Sequence, residues 1–190
     1  MTMQIKDMLF YNAEILSLSE ELLGSYFAEF PEKKCFEKVF FSALWRGYIA
    51  SFELIDNELF VKDIRAPKGI SDEGIYYESY LNVIFPESKK MDWYSGLIRI
   101  DEYRFNVDDE DKNAVFEFLV IEHGNLVDQL KFTFDQFDEF KKEQFIKFKQ
   151  TDEYKRVFNK WKLREPKMKD EKIEYWISFL IIRYLREILH

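Results

Sequence analysis

The stretch ALWRGYIASFELIDNELFVKDI, residues 43–64, predicts the hairpin on which the fold depends. At its centre, Asp56 and Asn57 both tolerate the positive φ angles that a type I′ turn requires. A turn at this position sets three pairs of facing residues: Leu54 with Leu59, Phe52 with Val61, and Ala50 with Asp63. Apolar residues alternate with polar ones along both strands, which predicts an antiparallel pair with one buried face.

Arg46 shares the side-chain direction of Tyr48 on the first strand, so it points toward the apolar face. A buried arginine needs an acidic partner or a position at the rim. We expect Asp63 or Asp92 to be that partner, in which case Arg46 locks one end of the sheet. The alternative is that Arg46, beside Trp45, binds an anion or a carboxylate at the mouth of a pocket.

A second motif, DWYSGLIRI, occupies residues 92–100. Trp93 fits either a core position or a ligand platform, and Asp92 fits a turn or a cap. Gly96 would permit a β-bulge or a close approach of another backbone segment. The two motifs together give one candidate polar cluster, for binding or for structure: Trp45, Arg46, Tyr48, Asp63, Asp92, Trp93 and Arg99.

This pair of motifs resembles an uncharacterised family of small bacterial proteins. Its members carry Trp-Arg-Gly-Tyr running into a strand and hairpin, then Asp-Trp-aromatic-Ser-Gly, then a second hairpin. The likeness covers roughly residues 36–128. The family's Gly-rich stretch after the second motif is replaced here by DEYRFNVDDED. The resemblance implies no activity, since none is known for the family.

The rest of the chain predicts strands first and helices afterwards. FEFLVIEHGNLVDQLKF, residues 116–132, predicts a hairpin whose His-Gly-Asn loop pairs Phe118 with Leu130 and Phe116 with Phe132. From Asp135 the apolar residues recur with a helical period, with Thr151 as a possible N-cap and the stripe of the last helix running from Ile173 to Ile188. We therefore predict an α+β fold in a single domain, residues 1–190. Residues 3–134 would form an antiparallel sheet or a partly open barrel, and residues 135–190 would form helices packed on it.

The charge is unevenly distributed along the chain. The net charge is −8, and residues 1–134 hold 14 basic against 25 acidic side chains. An acidic surface repels phosphate, so nucleic acid is an unfavourable partner. The most acidic stretch, which could face a basic partner, contains Asp108, Asp109, Glu110 and Asp111. The basic run Lys155–Lys172 predicts either a solvated helix face or a binding patch.

Cysteine content and hydropathy indicate the compartment. A single cysteine, Cys35, excludes an intramolecular disulfide and a cysteine-based zinc site. Residues 1–10 lack the pattern of a signal peptide, and the longest apolar run is too short to span a bilayer. We expect a cytoplasmic protein without membrane contact. The two histidines, His123 and His190, lack metal-ligand spacing and no cofactor motif is present, so we expect neither metal nor cofactor.

These patterns favour a non-enzymatic bacterial interaction protein whose partner is another protein, with a basic partner as one version. An inhibitor or a toxin-immunity protein would fit, because acidic inhibitors complement basic targets. The alternative is a small-molecule-binding protein or an enzyme that uses the sheet end around Arg46, Asp63 and Trp93.

Overall fold

The computed structural model describes residues 4–36, 42–72, 74–100, 115–186 and 188. Within these residues the chain forms eight strands: β1 (Asp7–Tyr11), β2 (Glu14–Leu18), β3 (Ile49–Ile55), β4 (Glu58–Ser71), β5 (Gly74–Ser79), β6 (Gly96–Arg99), β7 (Val115–Glu122) and β8 (Asn125–Thr133). The α-helices are α1 (Gly24–Glu29), α2 (Leu81–Ile84), α3 (Phe134–Phe148), α4 (Asp152–Arg164) and α5 (Asp170–Phe179), with 3₁₀ helices at Pro31–Lys33 and Ile181–Arg183. The predicted α+β class is confirmed.

The strands form one open sheet in the order β2-β1-β3-β4-β8-β7-β6, and β5 pairs with β4 outside that path. The sheet is not a barrel, and it is mixed rather than purely antiparallel, because β1 and β3 run parallel. Parallel neighbours need a long crossover between them. Residues 19–48, which separate β2 from β3, provide that length.

The first predicted hairpin forms with its turn at residues 56–57, where φ is 50° and 63°. Two predicted pairs are confirmed: Leu54 with Leu59, and Phe52 with Val61. The third is wrong, because a β-bulge leaves Lys62 outside the register and Ala50 faces Ile64 instead of Asp63. The bulge turns Ile64 into the core, where it is fully buried, and leaves Asp63 only partly covered.

The segment APKGISDEG, residues 66–74, has the Pro, Gly and Asp content typical of a loop, but most of it is strand. β4 continues to Ser71 and pairs with β5. A register shift between Pro67 and Gly69 leaves Lys68 outside the pairing. Proline cannot donate a ladder hydrogen bond and is tolerated at such irregular positions, so Pro67 does not end the strand.

The second hairpin turns at His123 and Gly124, with φ of 47° and 75°. Its predicted pairs are confirmed: Phe118 with Leu130, and Phe116 with Phe132. The loop contains two residues instead of the expected three. A β-bulge in the strand that faces Ile121 accommodates the remaining residue. Gly124 joins this hairpin to the rest of the sheet: its N–H donates to the Tyr94 carbonyl at 2.8 Å and its carbonyl accepts from the Leu59 N–H at 2.7 Å.

Both faces of β6 and β7 are covered, so these two strands lie between two hydrophobic cores. One core lies among β1, β3, β4 and α1, and it receives Ile98, Leu119 and Ile121. The other lies under the C-terminal helices and receives Leu97, Phe118 and Val120. Strands buried on both faces have continuous apolar runs instead of strict alternation, which explains FLVI in β7.

Strands give way to helices at Thr133, which caps α3 through a hydrogen bond with Gln136. The predicted cap Thr151 begins α4 and accepts from the Tyr154 N–H at 3.1 Å. At the other end of the chain, Ser19 does not cap a helix: α1 begins only at Gly24. The last helix is shorter than predicted, since α5 ends at Phe179 and a 3₁₀ helix follows.

Candidate functional site

Arg46 is buried and paired. Its Nη2 donates to Asp7 Oδ1 at 2.6 Å and to the Ile5 carbonyl at 3.0 Å, and its Nε donates to the Tyr48 carbonyl at 2.8 Å. The arginine is 8% exposed and Asp7 is 0% exposed. The acidic partner is therefore Asp7, and the expected partners Asp63 and Asp92 are wrong. Arg46 ties β1 to the start of β3 through these internal contacts.

Asp7 is held by only one of its oxygens. Oδ1 accepts from Arg46 and also from the Ala50 N–H at 2.6 Å, whereas Oδ2 is buried without a hydrogen-bond partner among the described residues. Burial raises the pKa of Asp7 from 3.8 to about 6, against the lowering effects of Arg46 and the Ala50 N–H. The unpartnered oxygen makes the ionised form costly in a low dielectric.

The remaining polar members of the predicted cluster lie apart from Arg46 in separate contacts. Asp63 Oδ2 pairs with Arg65 at 2.6 Å and Oδ1 accepts from Ser79 at 2.6 Å. These two hydrogen bonds lower the pKa of Asp63 although partial burial opposes them. Asp92, 67% exposed, lies 3.5 Å from Lys90.

Arg99 extends from β6 over the Phe116 ring, with its guanidinium carbon 4.9 Å from the ring centroid. It therefore covers the edge of the helical core and does not join Arg46. The acidic stretch Asp108, Asp109, Glu110 and Asp111 lies outside the described residues.

The two tryptophans of the motifs line two parts of one depression. Its larger part, which we call the C-terminal cleft, has a volume of about 500 Å³. The cleft is lined by residues 19–22, Ser25, Trp45, residues 94–97 and residues 182–186, and by Glu153 of α4. A smaller groove of about 310 Å³ contains Trp93 and His123. The two share Ser25, Tyr94, Ser95 and Arg186, so they are continuous.

The motif residues Tyr94, Ser95 and Gly96 form the floor of the cleft. Ser95 Oγ accepts from the His123 N–H at 3.0 Å and so fixes the second hairpin turn. A Cβ at position 96 would lie 3.1 Å from Tyr94 Oη and 3.3 Å from the Leu185 carbonyl. Glycine therefore lets the C-terminal segment pack directly against β6. Burial raises the pKa of Tyr94 above its usual range, so its phenol is neutral.

Charged groups of both signs line the cleft. Arg183 and Arg186 are exposed, and neither forms an ion pair with a carboxylate among the described residues. Opposite them, Glu20 Oε1 accepts from Ser19 Oγ at 2.8 Å, while Oε2 is shielded and has no partner in the described ranges. Burial raises the pKa of Glu20, against the Ser19 hydrogen bond and the nearby Arg183 and Arg99. The arginine side of the cleft is therefore more available to a ligand than the side that carries Glu20.

Several of these residues could not be identified from the sequence. Asp7 has the same strand direction as Leu9, which is a weak signal for burial, but its partner lies 39 residues away. Glu20, Arg183 and Arg186 belong to segments that read as ordinary amphipathic helix. Only the fold, which brings residues 19–25 beside residues 182–186, reveals that they share a cleft.

Within the described ranges, no group of three His, Cys, Asp or Glu side chains could hold a metal ion. Across the same part of the chain, no helix is both long enough and apolar enough to cross a membrane. Comparison with protein-family models, with curated proteins and with solved structures gave no match.

Proposed function

We propose that the chain is a non-enzymatic interaction protein that engages a partner protein at the C-terminal cleft. The observation that carries this proposal is the position of Trp45, which is 70% exposed at a cleft that also presents Arg183 and Arg186. Tryptophan and arginine are the residues most enriched among interface hot spots. An exposed tryptophan is costly to leave in water, which supports its covering by a partner.

The partner's chemistry follows from the two walls of the cleft. The guanidiniums of Arg183 and Arg186, which have no ion-pair partner among the described residues, suit a carboxylate, since a carboxylate can accept two parallel N–H hydrogen bonds. Glu21 and Ser25 on the other wall are exposed and offer acceptors for backbone N–H groups or for a cation. A partner segment that carries an acidic group beside an apolar side chain for Trp45 would complement both walls.

The internal ion pairs and hydrogen bonds of the motif residues also support a binding role. Arg46 and Asp63 are engaged in internal ion pairs, so a ligand site or catalytic site around them would first have to break those contacts. Ser95 holds a backbone N–H, and Tyr94 is neutral and partly buried. We place the protein in a bacterial cytoplasm as part of the same proposal, which the resemblance and the single cysteine support.

The proposal is tested by partner capture with matched variants. The tagged wild-type protein should retain a partner from a lysate of its source organism. Trp45→Ala and the double variant Arg183→Ala/Arg186→Ala should both lose that partner, because each removes exposed contacts without touching a core. Lys131→Ala is the control, since this side chain is 69% exposed and lies outside the cleft. A partner retained equally by all four proteins would refute the proposal.

A second candidate is an inhibitor or immunity protein for a basic target, which the net charge of −8 favours. Joint neutralisation of Asp108, Asp109, Glu110 and Asp111 should then slow association with the captured partner. Raising the salt above physiological strength, where the Debye length falls below about 8 Å, should have the same effect. An association rate insensitive to both changes would eliminate this candidate.

A further inference from the structure

A second groove, of about 370 Å³, runs along α4 beside the C-terminal cleft. We call it the α4 groove. It is lined by Arg156, Val157, Lys160, Trp161, Arg164 and Tyr184, together with Glu153. Glu153 and Tyr184 also line the C-terminal cleft. The groove does not include Trp45, so what it binds is independent of what the cleft binds.

The apolar stripe of α4 is only half covered. Tyr154, Val157, Phe158 and Trp161 lie on one face at helical spacing, yet none of them is buried and α4 contains no buried residue at all. A stripe of this kind normally packs fully against the rest of the protein. On this helix the stripe borders an open groove, so part of its apolar surface remains for another element to cover.

Three cations follow the groove at a spacing of four residues. Arg156 and Arg164 are 78% and 79% exposed, and their contacts with Glu153 at 3.4 Å and Glu165 at 4.0 Å are long and solvent-exposed. Lys160, between them, has no ion-pair partner among the described residues. Exposed pairs of this geometry contribute about 0–1 kcal/mol, so the cations stay available.

We propose that the α4 groove docks an acidic amphipathic helix of a partner protein. Residues four apart on a helix are separated by about 6 Å along its axis. Acidic side chains at the same spacing on the incoming helix would therefore match Arg156, Lys160 and Arg164 in register. The apolar face of that helix would cover Val157 and Trp161, as in other helix-in-groove complexes. The net charge of −8 disfavours a nucleic acid in this role.

The probe is a designed helical peptide of about 18 residues, long enough to hold helical structure, with leucines on one face and glutamates every fourth residue beside them. The readout is the set of indole N–H signals in ¹H–¹⁵N NMR, where Trp161 reports on the α4 groove and Trp45 on the C-terminal cleft. The Trp161 indole donates to Tyr184 Oη at 3.1 Å, so an occupant of the groove should displace its signal. We expect a saturable shift of Trp161.

The matched control peptide carries lysine in place of each glutamate and should leave the Trp161 signal unchanged. Lys160→Glu should weaken binding of the acidic peptide at least about tenfold, because it sets like charges against each other. Lys131→Glu, outside the groove, should leave the affinity unchanged. These substitutions are at exposed positions, so the fold tolerates them.

Three outcomes would overturn the inference: an unmoved Trp161 signal, an equal response to both peptides, or a tighter response to a single-stranded oligonucleotide. A shift of Trp45 without a shift of Trp161 would reject the α4 groove while leaving the proposed role of the C-terminal cleft intact. A shift of Trp161 alone would support the α4 groove independently of the cleft.

Discussion

Arg46 and Asp7 form a buried ion pair that joins β3 to its parallel neighbour β1, with Nη2 2.6 Å from Oδ1. Loss of one member of a buried pair leaves the other charge uncompensated. Arg46→Met should therefore lower the free energy of unfolding by about 3–5 kcal/mol, measured by chemical denaturation at pH 8, where Asp7 is ionised.

The matched control is Arg65→Met. Arg65 is 66% exposed, and its pair with Asp63 should contribute no more than about 1 kcal/mol. Equal effects of the two substitutions would contradict a structural role for Arg46.

The same pair predicts a pH dependence of stability. The pKa of Asp7 rises from 3.8 to about 6 on folding, so the folded state binds this proton more tightly than the unfolded state does. The contribution of Asp7 is fully present below pH 3.8 and is lost as the pH rises through about 6. The unfolding free energy of the wild type minus that of Asp7→Asn should therefore fall across this window and level off above it. A difference that grows with pH instead would mean that Arg46 outweighs burial.

The C-terminal helix provides a contrast between buried and exposed positions. Ile177 is 0% exposed in the helical core, whereas Tyr175, two residues earlier, is 60% exposed. Ile177→Ala should cost about 2–5 kcal/mol of unfolding free energy, the range for a large aliphatic side chain in a core. Tyr175→Ala should stay within about 0.5 kcal/mol of the wild type. Chemical denaturation distinguishes the two, and similar midpoints would show that α5 does not pack as described.

Gly124 is required both by its backbone conformation and by its contacts. Its φ is +75°, and a Cβ there would lie 2.7 Å from the Met91 carbonyl oxygen. Gly124→Ala should cost more than the roughly 1–3 kcal/mol of a left-handed residue alone, because the turn must also move away from Met91. Gly47→Ala is the control: its φ of +85° is similar, but the nearest atom to the added carbon, on the Phe36 ring, is 3.7 Å away. Equal losses of thermal stability would show that the contact with Met91 is unimportant.

Local features of the fold could be predicted from the sequence, because turns and caps depend on neighbouring residues. The turn at Asp56 and Asn57 and the cap at Thr151 are of this kind. The bulge at Lys62 could not be predicted, since no residue there requires it and only the packing of Ile64 explains it. The parallel pairing of β1 with β3 also escaped prediction, because it depends on a crossover and not on any local pattern.

The candidate site was predictable only in part. The two motifs singled out Trp45 and Gly96, since tryptophan and glycine at strand ends are unusual, but they grouped Trp45 with Arg46 and Asp63 instead of with the cleft, and Ser95 was not singled out. The arginines of the cleft were hidden, because Arg183 and Arg186 sit in a segment whose apolar period suggested a continuous helix. The partner of Arg46 was misassigned for a related reason: the bulge reverses the direction of Asp63, and Asp7 reaches Arg46 only through the parallel pairing.

Site-specific photo-crosslinking in cells shows whether a partner protein covers the C-terminal cleft. A benzophenone amino acid at position 45 keeps an aromatic side chain at the cleft, and the same group at position 70 serves as the control, because Ile70 is 75% exposed on β4 and does not line the cleft. We expect a discrete adduct from position 45 that disappears with Arg183→Ala/Arg186→Ala, and none from position 70. No adduct from position 45, or equal adducts from both positions, would contradict the proposed role of the cleft.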